Sequence, residues 1–335
     1  ELRSRLDSET RYIPVRLGET NAQTRWVLER AGVPEPRFLP HVMLRVRDIM
    51  QERFDRADAD QPVRAVGMTM AQKGLDLLPI VEKDGRLAGI MTERVLARRY
   101  IRESREASSL VDAPTSIDAI VSVLEGEVLA GDGEPIAGRV WVYAMDSGWD
   151  GSGIRKGDVV VVGNREDAQR RAIELGAALL VVSNGTRPSQ EIIDLAKERG
   201  TAVVSSPLDS YVSGRMITLA SPCRAHMDAE PLTVHPDDLV SDVADAIKDV
   251  HYGAAIAVDH DIPVGLVTRK DLVSPEPRRV ILVDHAEQAQ SVPGIEQAEI
   301  VEILDHHHIG SIETRVPVRA TFDPVGSTAT LVVER

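Results

Sequence analysis

One pattern occurs twice in this chain, and it narrows what the chain can fold into. Leu77–Val81 is an apolar run, Lys83-Asp84-Gly85 follows, and Leu87–Met91 is a second apolar run that leads into Thr92. Far downstream, Ala254–Val258, His260-Asp261 and Val264–Val267 repeat that order and lead into Thr268. Asp-Gly between apolar runs is a strong hairpin signal. The stretches GRLAGIMTERVLARR and IPVGLVTRKDLVSP align with each other, so the chain contains a duplicated module. Helices are expected beside both hairpins, Asp242–Val250 among them, and Met68 and Met70 are expected in the core of the first copy.

Between the copies, residues 106–220 read as a separate α/β segment. Val159–Val162, Ala178–Val182 and Ala202–Val204 are strand-like runs, with helices expected over Glu166–Leu175 and Ser189–Arg199. Ser189 suits an N-cap and Gly200 the position after a helix. The turn Asn184-Gly185-Thr186 sits at a strand end, where its backbone N–H groups could meet a phosphate or simply close the turn. Aromatic residues are only 3% of a chain that is 43% hydrophobic, so its cores are aliphatic. The net charge of -14 argues against a nucleic-acid-wrapping surface. Cys223 is the sole cysteine, which excludes an internal disulfide and fits a reducing, cytoplasmic home. No apolar run approaches the roughly 18 residues a membrane span needs, so no membrane partner is expected.

The chemistry concentrates near the end. Val280–Val283 stops at Asp284-His285, and Ile300–Leu304 stops at Asp305-His306-His307-His308. Two such runs, joined by a roughly helix-sized segment, are expected to be neighbouring parallel strands. Ligands of open α/β sheets lie beyond the carboxyl ends of the strands. Imidazole and carboxylate gathered there suit a first-row transition metal. At the other end a short strand, Ile13–Leu17, leads into a helix over Thr20–Ala31 that Thr20 or Asn21 would cap and Gly32 would end.

Three resemblances organise these pieces. The duplicated module, with VRDIM at 46–50, resembles CBS modules, here 41–105 and 221–275, which pair to bind nucleotides. That resemblance implies that Thr268 and Asp271 hold a ribose, with Arg269 or Lys270 meeting phosphate. In the first copy Thr92 matches but Val95 replaces the acid, so the second copy is expected to be the better nucleotide holder, or the pair to hold ligand asymmetrically. Tyr252 could stack on an adenine, or pack. The insert resembles a DRTGG domain through Asn164-Arg165 and Asn184–Pro188. The flanks, 1–40 and 276–335, resemble two pieces of a DHH phosphoesterase domain. VRLGETNAQTRWVLERAGV, VILVDHAE, EILDHHHIG and DPVGSTATLVVER carry that likeness. In that order they resemble the family II inorganic pyrophosphatases with regulatory CBS domains. The implied fold is α/β: an incomplete doubly wound parallel sheet, interrupted by a CBS pair and an α/β module.

The family resemblance implies roles by position. Asp284 would bridge two divalent cations, Mn2+ with Co2+ or Mg2+ as alternatives. His306 would be a ligand and His307 would face the electrophilic phosphate. Asp305 would fix an imidazole tautomer by accepting its other N–H. His285 sits beside the bridging acid as a further catalytic candidate, although Ala286 replaces the asparagine usual there. The family's first His/Asp/Asp motif and its C-terminal domain have no match here, so the chain is expected to be trimmed at both ends and inactive alone. The expected activity is hydrolysis of pyrophosphate to two phosphates, regulated by AMP, ADP or a diadenosine polyphosphate, in a homodimer formed through CBS or DRTGG surfaces. The alternatives are a DHH enzyme acting on an oligonucleotide or cyclic dinucleotide, and a nucleotide sensor with a vestigial site.

Overall fold

The β-branched runs of the insert become the most buried strands of the chain. The computed structural model describes residues 10–103, 108–131, 133–143 and 153–334. By its contacts the chain divides into two units. One holds Glu1–Met50, Pro236–Ala246 and Val267–Arg335, the other Gln51–His235 and Ile247–Leu266.

In the larger unit, a five-stranded sheet runs in the order Glu127–Ala130, Ala202–Ser205, Leu179–Val182, Val159–Val162, Val140–Val142. The last four strands are parallel and the first is antiparallel to its neighbour. Val159 and Val161 join Leu179, Val181 and Val204 in one apolar cluster, while Val160 and Val162 join Leu180, Val182 and Val203 in another. A sheet covered on both faces needs such unbroken apolar strands. Helices Glu166–Glu174 and Gln190–Arg199 contribute Ala172, Ile173, Ile192 and Ala196 to the second cluster. Ser189 caps the latter helix through its side chain, and Gly200 ends it at φ 71°. The expected elements of this segment fall within a residue or two of the observed ones. Four others, Ile117–Leu124, Glu127–Ala130, Val140–Val142 and Ser210–Leu219, carried no expectation.

Both hairpins form. Leu77–Val81 pairs antiparallel with Leu87–Thr92, with a bulge between Ile80 and Val81 beside the Gly85 turn. In the second copy, Thr233–Val234, Ala254–Asp259 and Ile262–Thr268 form a three-stranded sheet. Its turn places His260 at φ 50° and Asp261 at φ 65°, the two left-handed residues of a type I′ turn. On the helix Val63–Lys73, Met70 is 2% exposed but Met68 is 49% exposed. Met68 is therefore not a core residue, because it lies on the outward side of that helix.

In the smaller unit the helix is Ala22–Ala31, with Asn21 accepting from Thr24 N and Gly32 closing it at φ 65°. The strand expected over Ile13–Leu17 shrinks to Val15–Arg16 and pairs in parallel with Arg37–Phe38. Arg279–Val283, Glu299–Asp305 and Arg319–Phe322 form a second parallel sheet in that order. The connection between its first two strands is not a helix. Two 3₁₀ turns, Gln288–Gln290 and Ile295–Gln297, fill it, because Pro293 cannot donate into a helix and Gly294 takes φ 86°. A Cβ on Gly294 would meet Met43 N at 2.9 Å, so only glycine permits that approach. Leu282, Ala286, Ile295, Ile300 and Ile303 pack with Val42 beneath the strand ends. Among the described residues no helix is long and apolar enough to cross a membrane.

Candidate functional site

The strands Arg279–Val283 and Glu299–Asp305 are parallel neighbours, so Asp284 and Asp305-His306-His307 emerge at the same sheet edge. Asp284 adopts φ 69° and donates its N–H to Leu304 O at 2.9 Å. The left-handed backbone turns the chain sharply off the strand and leaves the side chain 62% exposed.

Asp305 is 1% exposed and acts as the hub of the turn after its strand. Its Oδ1 accepts from His306 N at 2.8 Å, from His307 N at 3.2 Å and from His307 Nδ1 at 2.8 Å. Burial opposes ionisation of this carboxyl, but those three donors outweigh it and hold the group below the usual carboxylate value. The expected tautomer lock is therefore present, and it acts on His307. His306 is locked differently, with Nδ1 against the Val325 carbonyl at 2.9 Å. A carbonyl only accepts, so Nδ1 carries a proton, and in the neutral tautomer Nε2 is the nitrogen left with a lone pair for a cation. That Nε2 lies 3.6 Å from Asp284 Oδ1. Ligand-capable atoms of Asp284, His306 and His307 all lie within 4.8 Å of one another.

This donor set fits a divalent first-row cation. It offers one carboxylate and two imidazoles whose other nitrogens are hydrogen-bonded, the arrangement that metal-binding histidines adopt. His285 stands apart from it. Its Nδ1 is 3.1 Å from Val283 O, and its Nε2 is shielded and meets no partner among the described residues. His308 Nε2 instead meets Glu287 Oε1 at 2.9 Å. A Cβ on Gly310 would lie 2.3 Å from Ala286 O, so glycine lets these two loops touch. Sequence reading missed Val325 and Thr328. Thr328 Oγ1 donates to Asp284 Oδ1 at 2.6 Å.

The nucleotide candidates belong to both units, Thr268 to Asp271 to the smaller and Thr92 and Tyr252 to the larger. Asp271 Oδ2 accepts from Thr268 N at 2.8 Å and Thr268 Oγ1 at 2.7 Å, which caps the helix Arg269–Val273. Arg269 and Lys270 are exposed at its start. In the first copy Thr92 is 3% exposed and its Oγ1 accepts from Val95 N at 3.2 Å. Val95 packs against the core of that copy, so an apolar contact stands where a carboxylate was sought. Tyr252 accepts Leu232 N–H on its hydroxyl at 2.7 Å, so its ring helps stitch the second copy together. None of these residues lines the cavity of about 420 Å³ in the larger unit, which is bordered by Arg86, Ala88, Glu230, Thr233, Val258 and Asp261. Its residues come from three separate stretches, 86–88, 229–233 and 258–261, so no local motif announces it. The Asn184-Gly185-Thr186 turn has its N–H groups bound to Leu208 O, Ser206 O and Ser183 O, which leaves it a turn rather than a phosphate cradle.

Comparison with known proteins agrees with this layout. Residues 46–102 and 223–275 match the CBS domain, and residues 119–220 match the DRTGG domain. The chain is 33% identical over 331 residues to a cobalt-dependent inorganic pyrophosphatase of Clostridium perfringens, covering 98% of this chain and 60% of that protein. It is 33% identical over 327 residues to a probable manganese-dependent inorganic pyrophosphatase of Thermotoga maritima, covering 96% of this chain and 59% of that protein. The chain thus spans about three-fifths of the length of these relatives. The crystal structure of the CBS and DRTGG domains of the Clostridium perfringens pyrophosphatase, complexed with its activator diadenosine tetraphosphate, superposes with a TM-score of 0.62. It is 28% identical, and the match covers 68% of this chain and 100% of that one. Through its CBS and DRTGG domains and the segments that flank them, the chain is thus similar to metal-dependent inorganic pyrophosphatases, one of which carries such a regulatory region.

Proposed function

We propose that this chain supplies the regulatory region and part of the catalytic site of an enzyme that hydrolyses pyrophosphate to two phosphates. The observation that carries the reading is the Asp284–His306–His307 donor set at the carboxyl ends of two parallel strands. Residues 1–40 and 276–335 are the two pieces of its DHH domain. Asp284 and His306 Nε2 hold divalent cations, Mn2+ or Co2+ by the relatives' names. Such ions acidify a bound water and neutralise phosphoryl oxygens. His307, its Nδ1–H directed at the buried Asp305, presents Nε2 to the phosphate. His285, next along the chain after Asp284, is the further catalytic candidate. AMP, ADP or a diadenosine polyphosphate acts at the CBS segments, with the Arg86-lined cavity and the Thr268–Asp271 pair as candidate seats. A cytoplasmic homodimer, assembled through CBS or DRTGG surfaces, completes the proposal.

The test is phosphate release from pyrophosphate with Mn2+ or Co2+, with and without diadenosine tetraphosphate. It is run on this chain and on a form extended to its relatives' length. The extended form should hydrolyse pyrophosphate, and Asp284→Asn should abolish at least 99% of that activity. If no divalent metal supports hydrolysis by the extended form, the reading fails.

A further inference from the structure

The two side chains of the donor set that face each other are both held by one short turn, and that turn contains no metal-binding residue type. Val325 O receives the Nδ1 proton of His306 at 2.9 Å. Three residues on, Thr328 is 3% exposed and its hydroxyl lies 2.6 Å from Asp284 Oδ1. An ionised carboxylate has no proton to give, so the threonine donates. The distance is that of a charge-assisted O–H···O⁻ bond.

The turn is itself fixed. Val325 N donates to Asp323 O at 2.8 Å, and Ser327 receives Thr330 N on its carbonyl and Ala329 N on its hydroxyl. Leu331, 2% exposed, anchors the following helix Thr328–Glu334. Asp284 has no comparable support of its own. It is the most exposed of the donors and sits on a left-handed backbone, so without a partner its side chain would sample several rotamers.

We propose that Thr328 is a positioning residue for the cation site. Its hydroxyl holds Asp284 in one rotamer and occupies one lone pair of Oδ1, so the remaining carboxylate lone pairs face His306 Nε2 and the cation. The Val325 carbonyl does the same for His306, and residues 325–328 thereby preorganise both donors before any metal arrives. The proposal rests on the metal reading above, but its first consequence, a locked Asp284, does not require metal.

Two measurements on the 335-residue chain test it. Three-bond couplings to Asp284 Cγ report its χ1 in the metal-free protein, and Co2+ titration followed by the visible d–d bands reports affinity and ligand geometry. The wild type should show one χ1 rotamer. Thr328→Val, which keeps the shape and removes the hydroxyl, should average χ1, weaken Co2+ binding about tenfold or more and change the d–d bands. Thr328→Ser should restore both. Wild-type χ1 and wild-type Co2+ affinity in Thr328→Val would overturn the proposal. So would Thr328→Ser failing as badly as Thr328→Val, which would mark the methyl packing as the working part. A wild-type chain that locks χ1 yet takes up no Co2+ supports the lock and sinks the metal reading instead.

Discussion

His306 and His307 are adjacent in sequence, yet they are oriented by unlike acceptors, a backbone carbonyl and a buried carboxylate. The difference is one of hydrogen-bond strength, because Asp305 brings a full charge to its bond with His307 whereas the Val325 carbonyl brings only a dipole to its bond with His306. A third histidine shows the opposite case. His226 is held by Ser221 Oγ at 2.9 Å. Burial, reinforced by the charge of Arg99, lowers its pKa to about 4. The unfolded chain takes up that proton near the ordinary histidine value of about 6.5. Between these values the unfolded state binds more protons, so stability is complete above about 6.5 and falls as the pH drops toward 4. Urea unfolding of wild type and His226→Asn should therefore diverge on acidification, with the wild type losing about 1–3 kcal/mol more between pH 7 and pH 4.5. Parallel pH dependences would show that His226 titrates alike in both states.

At the scale of elements, turn chemistry sets what a substitution can gain. The second hairpin places two non-glycine residues, His260 and Asp261, in the left-handed region, where each L-residue with a Cβ costs about 1 kcal/mol. Asn-Gly is the pair such a turn favours. The double substitution His260→Asn, Asp261→Gly keeps the backbone carbonyl of Asp261 that receives Leu87 N at 2.8 Å. It should raise unfolding free energy by about 1–2 kcal/mol in urea. A loss of stability would mean that the two side chains contribute more than their strain. Burial along each strand explains what the sequence made legible. Val159–Val162 announces itself because every residue is apolar and β-branched, as a strand buried on both faces requires. Glu127–Ala130, Val140–Val142 and Arg319–Phe322 do not, because they are short, lie at sheet edges and are largely exposed or only half-buried. The acid-histidine pairs were readable as contiguous motifs at strand ends. Val325 and Thr328 were not, since a backbone carbonyl leaves no trace in residue type and a lone threonine has many other uses.

At the scale of the whole molecule, the candidate sites separate by unit. Asp284, His306 and His307 lie within the unit that contains Val267–Arg335, while the Arg86-lined cavity lies within the other. A ligand that binds only the folded form stabilises by an amount set by its concentration over its dissociation constant, about 2.7 kcal/mol at a hundredfold excess. If each unit unfolds as its own cooperative step, each ligand should move a different transition in calorimetry. Co2+ at a hundred times its dissociation constant should raise the transition of the smaller unit and leave the larger one in place. Diadenosine tetraphosphate at the same ratio should raise that of the larger unit. Domain-selective hydrogen exchange assigns the transitions, using amides of Val159–Val162 for the larger unit and of Ile300–Leu304 for the smaller. A nucleotide that instead raises the smaller unit's transition identifies Thr268 and Asp271, which belong to that unit, as its seat. One transition displaced by both ligands would place metal and nucleotide on a single cooperative body. The two sites would then be linked through unfolding, and reciprocal changes in their affinities would follow by thermodynamic necessity.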